Sequence, residues 1–166
     1  KASSHSSDSP TTRLSLTAAL SSQATLVILG KSCYSFDMRY AIMGDIHANL
    51  SAFTAVLEDI EHQGGAAKIW CLGDIIGYGP DPHECLERLR QTNHVGVAGN
   101  HDWAAIGKID TAWFNPIAAA AVHWAAQQLT TADIAYLQNL PLVIEEDAFT
   151  LVHGSPREPI WEYLNS

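Results

Sequence analysis

The strongest constraint on this chain is a repeated punctuation. Three short apolar runs, residues 40–43, 68–72 and 95–98, each lead into a glycine followed by polar residues. The first gives Gly44-Asp45-Ile46-His47, the second Gly73-Asp74, the third Gly99-Asn100-His101-Asp102. A fourth run, Phe149–Val152, leads into His153-Gly154. Short apolar runs bounded in this way read as buried strands. Helical stripes lie between them. Residues 50–61 carry Phe53, Val56, Leu57 and Ile60 at i, i+3, i+4 and i+7. Asn49 stands where an N-cap belongs, and Gly64-Gly65 ends the stripe. Pro82–Arg90 is a second helix with proline at its start. Residues 116–129 and 132–139 are two more, with Thr130 or Thr131 capping the last. Residues 142–145 and Phe149–Val152 read as paired strands around Glu146-Asp147. Strands alternating with helices define an α/β layered domain.

Composition narrows the function. The 166 residues hold 9 basic and 18 acidic side chains, a net charge of −9. Such a surface repels a phosphate backbone, which argues against general nucleic-acid binding. A local phosphate site is still compatible, because bound cations invert the local sign. At 47% hydrophobic, the chain can bury a sizeable core. No apolar stretch is long enough to span a membrane. Three cysteines without CxxC spacing (Cys33, Cys71, Cys85) suit a reducing, cytoplasmic setting. Residues 1–37 differ from the rest, with fourteen Ser or Thr and a thin apolar pattern. They read as a leader, as a disordered linker, or as non-native sequence ahead of a start at Met38. The last reading is preferred, with residues 38–166 as the folded part.

In open α/β sheets, ligands bind beyond the carboxyl ends of the strands. All four clusters fall there, so residues as distant in sequence as Asp45 and His153 can converge. Asp and neutral His are good ligands for Zn, Mn, Fe, Co and Ni. Asp45 and His47, two positions apart on one loop, can reach a single ion. Asp74 can bridge two ions, Asn100 adds a neutral oxygen, and His153 adds an imidazole. Without cations these carboxylates repel one another, at roughly 4 kcal/mol per contact for ~4 Å and an effective dielectric near 20. Taken singly, each residue also has a plain structural use: Asp45, Asp74 and Asn100 as turn or cap residues, His47 and His153 as hydrogen-bonded histidines, His101-Asp102 as a polar pair. His83, His94 and His123, Cys71 and Cys85, and Trp70, Trp113 and Trp124 read as structural. The ordered set is what points to a binuclear metal site.

That set resembles the calcineurin-like metallophosphoesterases. Their pattern is Asp-x-His, Gly-Asp, Gly-Asn-His-Asp/Glu, a His often followed by Gly, and finally Gly-His-x-His. The first four occur here in order, as Asp45/His47, Gly73-Asp74, Gly99-Asn100-His101-Asp102 and His153-Gly154. The segments Gly77-Tyr78-Gly79-Pro80-Asp81-Pro82, Phe114-Asn115-Pro116 and Val152-His153-Gly154-Ser155-Pro156-Arg157 resemble a bacterial group of small phosphodiesterases within that family. The Asp and Arg that the Ser/Thr protein phosphatases carry after Gly-Asp are missing.

The resemblance implies a metallophosphoesterase-type layered β-sandwich flanked by helices. It implies two divalent ions of unspecified identity (Mn, Fe, Zn, Co or Ni). One is held by Asp45, His47 and Asp74, the other by Asp74, Asn100 and His153. A hydroxide activated between them attacks a phosphodiester or phosphomonoester, with His101 near the leaving group and Asp102 orienting it by a hydrogen bond. Arg157 reads either as a contact to the phosphate or as the ion-pair partner of Glu158 or Glu162. The expected substrate is a small phosphorylated compound or nucleotide. Gly-His-x-His does not occur in the sequence, so the fold is expected to be incomplete at the C-terminus, with each ion one histidine short and activity impaired. A non-catalytic scaffold domain or an inactive fragment of the same fold is the competing expectation.

Overall fold

The computed structural model describes residues 25–30 and 38–162. One four-stranded sheet organises them, in the order β1 (Thr25–Gly30), β2 (Arg39–Gly44), β3 (Lys68–Cys71), β4 (His94–Gly96). Strands β2, β3 and β4 run parallel, joined by α1 (Leu50–His62) and α2 (Pro82–Arg90). Beyond β4 come α3 (Asn100–Ala105), a 3₁₀ turn at Thr111–Trp113, α4 (Pro116–Gln128) and α5 (Thr131–Asn139). A two-stranded antiparallel sheet, β5 (Val143–Glu146) and β6 (Phe149–Val152), closes the described chain. This is the expected α/β architecture.

The helices form where the sequence has both a stripe and a cap. Asn49 accepts a hydrogen bond from the amide of Ala52 at 3.0 Å, and Phe53, Leu57 and Ile60 turn inward. Thr130 caps α5, receiving the amide of Asp133 at 3.2 Å. The two faces of the main sheet follow the period-two alternation of its strands. Ala41, Met43, Ile69 and Cys71 face the helices and pack with Phe53, Leu57, Leu86 and Leu89. Their neighbours Tyr40, Ile42, Trp70 and Leu72 face the other way and pack with Ile144, Phe149 and Leu151 of the second sheet. Trp70 is the centre of that layer, 4.4 Å from the Tyr40 ring and 5.2 Å from the Phe149 ring. Trp70→Ala would leave a cavity between the sheets costing about 3–5 kcal/mol.

Two elements depart from the sequence reading. The apolar patch within the leader contributes a strand, β1, whose residues pair antiparallel with β2 from Thr25 opposite Gly44 to Gly30 opposite Arg39. Residues 1–24 and 31–37 of that leader lie outside the described residues. The cluster after β4 does not remain a loop, because Asn100–Ala105 turns into helix α3 immediately. The Asp102 carboxylate reaches back to the Gly99 amide at 2.9 Å and caps that turn. Among the described residues no helix is long and apolar enough to cross a membrane.

Candidate metal centre

Parallel pairing puts the ends of β2, β3 and β4 at one edge of the sheet, and the loops that leave them are stitched together. The amide of Asp45 donates to the carbonyl of Gly73 at 3.1 Å, His47 to Asp74 at 2.9 Å, and Ala48 to Ile75 at 2.9 Å. This stitching holds Asp45, His47 and Asp74 in the left-handed region, at φ of 54°, 48° and 52°. Each such residue costs ~1–2 kcal/mol and persists only where its surroundings over-determine it. Gly99 is equally constrained, since a Cβ there would collide with the carboxylate and amide of Asp74.

Asp74 lies at the centre, its side chain 4% exposed. Its Oδ1 accepts the amide of His101 at 2.9 Å. Its Oδ2 stands 3.7 Å from His47 Nε2 and 3.6 Å from His153 Nε2. The other nitrogen of each ring is committed to a backbone carbonyl. His47 Nδ1 donates to Ile76 at 3.2 Å, and His153 Nδ1 donates to Leu72 at 2.8 Å. A neutral imidazole that donates through Nδ1 carries a lone pair on Nε2. Both lone pairs therefore face Asp74 Oδ2. As oriented, Asn100 Oδ1 adds another acceptor 3.0 Å from His153 Nε2, and Asp45 Oδ1 lies 3.6 Å from His47 Nε2. With both rings neutral and Asp74 ionised, the facing atoms are all lone-pair bearers, an arrangement that a divalent cation satisfies. Histidine ligands backed by a carbonyl on the far nitrogen are the usual outer support of such ions.

Charge gives the same result. Burial, then the nearby Asp102 and Asp45, push the Asp74 carboxyl well above the ordinary range, against the pull of the His101 amide. Burial pushes His47 down. His101 is pushed down to about 4 by burial and then by His47 and His153. Neutral imidazoles are the form that ligates metal. Among the described residues no lysine or arginine pairs with Asp45, Asp74 or Asp102. Two groups of side chains offer ligand atoms within 4.8 Å of one another, His47/Asp74/His101 and Asp45/Asp74/His153. Both share Asp74, but the division differs from the expected one because His101 also stands within reach of His47 and Asp74.

The reading of Asp102 needs correction, and Arg157 takes the ion-pair alternative. Asp102 makes no hydrogen bond to His101, whose buried Nδ1 has no partner among the described residues. Its carboxylate instead accepts the amides of Ile75 at 2.9 Å, Ile76 at 3.2 Å and Gly99 at 2.9 Å. Burial raises its pKa to about 6 in spite of those bonds. Asp102 is therefore a strut between the loops after β3 and β4, and it positions His101 only through the backbone. Arg157 is ion-paired with Glu162 and its side chain is 83% exposed. Trp113 and Trp124 are exposed and do not pack in the core, whereas Trp70 does. His83 bonds to Asp133, His94 to Tyr136 and His123 to Thr111, each a structural contact. Cys71 and Cys85 are buried, and burial pushes both thiols up to about 12. The aromatic rings around His101 did not emerge from the sequence reading. Tyr78 stands 4.8 Å from the His101 ring and Phe114 also 4.8 Å from it. The signal available was the pair of glycines flanking Tyr78.

The edge of this α/β sheet thus gathers aspartate, asparagine and histidine side chains, and its aspartates and histidines form groups that could hold a divalent ion. The chain belongs to the calcineurin-like phosphoesterase family, whose model matches residues 38–165. A metallophosphoesterase from Sphaerobacter thermophilus of known structure is 48% identical, with a TM-score of 0.65 over 76% of this chain and 51% of that one. The uncharacterized protein MJ0912 of Methanocaldococcus jannaschii is 43% identical over 75% of this chain and 53% of its own length. A protein of Aromatoleum aromaticum named bis(5'-nucleosyl)-tetraphosphatase, symmetrical, is 31% identical over 69% of this chain and 43% of its own length. The chain thus spans about half the length of the relatives it matches.

Proposed function

We propose that this chain carries the greater part of the ligand set of a metal-dependent phosphoesterase acting on a small nucleotide or related phosphoester. The observation that carries this reading is Asp74 Oδ2 lying between two imidazole Nε2 atoms whose partner nitrogens are bound to backbone carbonyls. Family membership supports the reaction class. The nucleotidase name of the Aromatoleum relative supports the substrate class. In this reading Asp45, His47, Asp74, Asn100 and His153 would hold two divalent ions. Such ions would supply charge for the phosphoryl oxygens and lower the pKa of a bound water towards neutrality.

The chain's own residues do the rest. The left-handed loops fix Asp45, His47 and Asp74 before any ligand arrives. Burial keeps His101 neutral, so its ring donates a hydrogen bond to the leaving-group oxygen. Asp102 holds the two loops at the spacing that sets His101 beside Asp74. Turnover by these 166 residues is expected to be low, since Gly-His-x-His is absent from them.

The test strips the chain with chelator, adds Mn, Zn, Fe, Co or Ni singly, and follows thermal melting and hydrolysis of p-nitrophenyl mono- and diesters. Stabilisation by at least one ion, with hydrolysis that depends on that ion, is the expected result. Stabilisation without hydrolysis would leave a metal-binding scaffold in place of an enzyme. No response to any ion would overturn the metal centre.

A further inference from the structure

A file of aromatic rings leads from the centre to the surface. The His101 ring touches Tyr78 at 4.8 Å and Phe114 at 4.8 Å, and Phe114 touches Trp161 at 5.4 Å. Tyr78 also meets His47 edge-on at 4.8 Å. These rings come from separate parts of the chain: the loop after β3, the turn before α4, and the segment after β6. Such convergence at one histidine is a built feature of the fold.

Packing alone does not account for Tyr78. Tyr78 is 41% exposed, so only part of the usual gain from burying an aromatic is realised. Its backbone is left-handed at φ 56°, a conformation costly for a bulky side chain. Gly77 makes this possible, because a Cβ at that position would collide with His101 Nδ1. The loop is thus drawn tight against the imidazole, with its tyrosine packed on His101 and His47 and still partly open to solvent. Phe114 and Trp161, in contact with each other, are half-buried. Partly exposed rings gathered beside the proposed phosphoester site fit a ligand with a charged end and a flat aromatic end. Base–aromatic stacking needs no hydrogen-bond pattern, only a face.

We infer that Tyr78, with Phe114 and Trp161 behind it, forms a stacking subsite for the base of a nucleoside 5'-phosphate whose phosphate lies at the metal centre. The inference rests on the phosphoesterase reading for the position of the phosphate, and on the rings for the position of the base. Tyr78 is then a specificity-determining residue that favours nucleotides over sugar phosphates.

The test is calorimetric titration of the Mn-loaded chain with AMP, ribose 5-phosphate and inorganic phosphate, and of the chelated chain with adenosine. AMP should bind roughly tenfold or more tighter than ribose 5-phosphate. Tyr78→Ala should bring AMP down to the level of ribose 5-phosphate and leave ribose 5-phosphate within about twofold, while Tyr78→Phe keeps the preference. Equal binding of AMP and ribose 5-phosphate to the parent chain would overturn the subsite. So would a Tyr78→Ala variant that weakens both ligands alike, which marks a structural role. If phosphate adds nothing but adenosine still binds through Tyr78, the phosphoesterase reading fails and the stacking surface stands. If neither adenosine nor AMP binds, the subsite fails.

Discussion

Asp74 and Asp133 are both buried aspartates, and the fold treats them in opposite ways. Asp133 is fully buried and fully partnered. It accepts Arg90 at 2.8 Å, His83 at 2.8 Å, and the hydroxyl and amide of Thr130 at 2.6 and 2.9 Å. Burial pushes its pKa up, but the bonds from Thr130, His83 and Arg90 outweigh that and leave it below the ordinary range. Asp74 is almost as buried and has one amide donor, on one oxygen. Burial, then the nearby Asp102 and Asp45, raise its carboxyl against that one bond. Burial therefore does not separate a structural carboxylate from a functional one, and the identity of the surrounding donors does. A buried acid facing lone pairs is where we propose that a cation binds.

The largest expected effect separates the histidines of the two regions. In metal-loaded protein, His101→Ala should slow turnover per bound metal ~10²–10³-fold, as loss of a donor aimed at developing charge does. His83→Ala should leave it within about twofold. Steady-state rates with metal analysis of the same samples decide this, and equal losses in the two variants would erase the distinction.

Next in size is a pH effect from His101. Its folded pKa is pushed down to about 4, while the unfolded ring titrates near 6.5. As pH falls from 6.5 to about 4, the unfolded state takes up a proton that the folded state does not, so stability is lost across that window. The loss is on the order of 3 kcal/mol. Urea unfolding of the chelated His101→Gln variant should show a correspondingly flatter decline with acid. A decline as steep as the parent's would mean that the ring is not held neutral.

The smallest effect is at the partnered acid. Asp133→Asn should cost about 2–3 kcal/mol, below the full cost of breaking a buried pair because Arg90 and His83 keep some solvent contact. Its metal affinity should be unchanged. Urea unfolding and equilibrium dialysis against Mn measure the two quantities, and a loss of Mn binding here would join the two regions into one.

Much of this arrangement was legible along the chain, for local reasons. Helix α2 begins at Pro82 and ends at Arg90 as read, because proline and an apolar face mark it directly. Strands β2, β3 and β4 were legible from apolar runs stopped by glycine. The cluster residues were legible as candidates because each follows such a strand. What escaped depends on contacts distant in sequence. Strand β1 is recognised only by its pairing with β2. Asp102 reads like a partner for the adjacent His101, but its hydrogen bonds run to amides 26 and 27 positions away, as well as to Gly99. Tyr78 carries no polarity pattern to mark it, and its position against His101 exists only in three dimensions.

The central claim is that Asp74 is an acid waiting for a cation. The most direct measurement is the melting temperature of the parent chain and of Asp74→Asn, each with chelator and with Mn. At about 100 times its dissociation constant, Mn should stabilise the parent by about 2.7 kcal/mol. The variant should gain nothing from Mn, and its metal-free form should melt no lower than the metal-free parent. Equal stabilisation of both proteins by Mn, or a metal-free variant much weaker than the parent, would contradict the account.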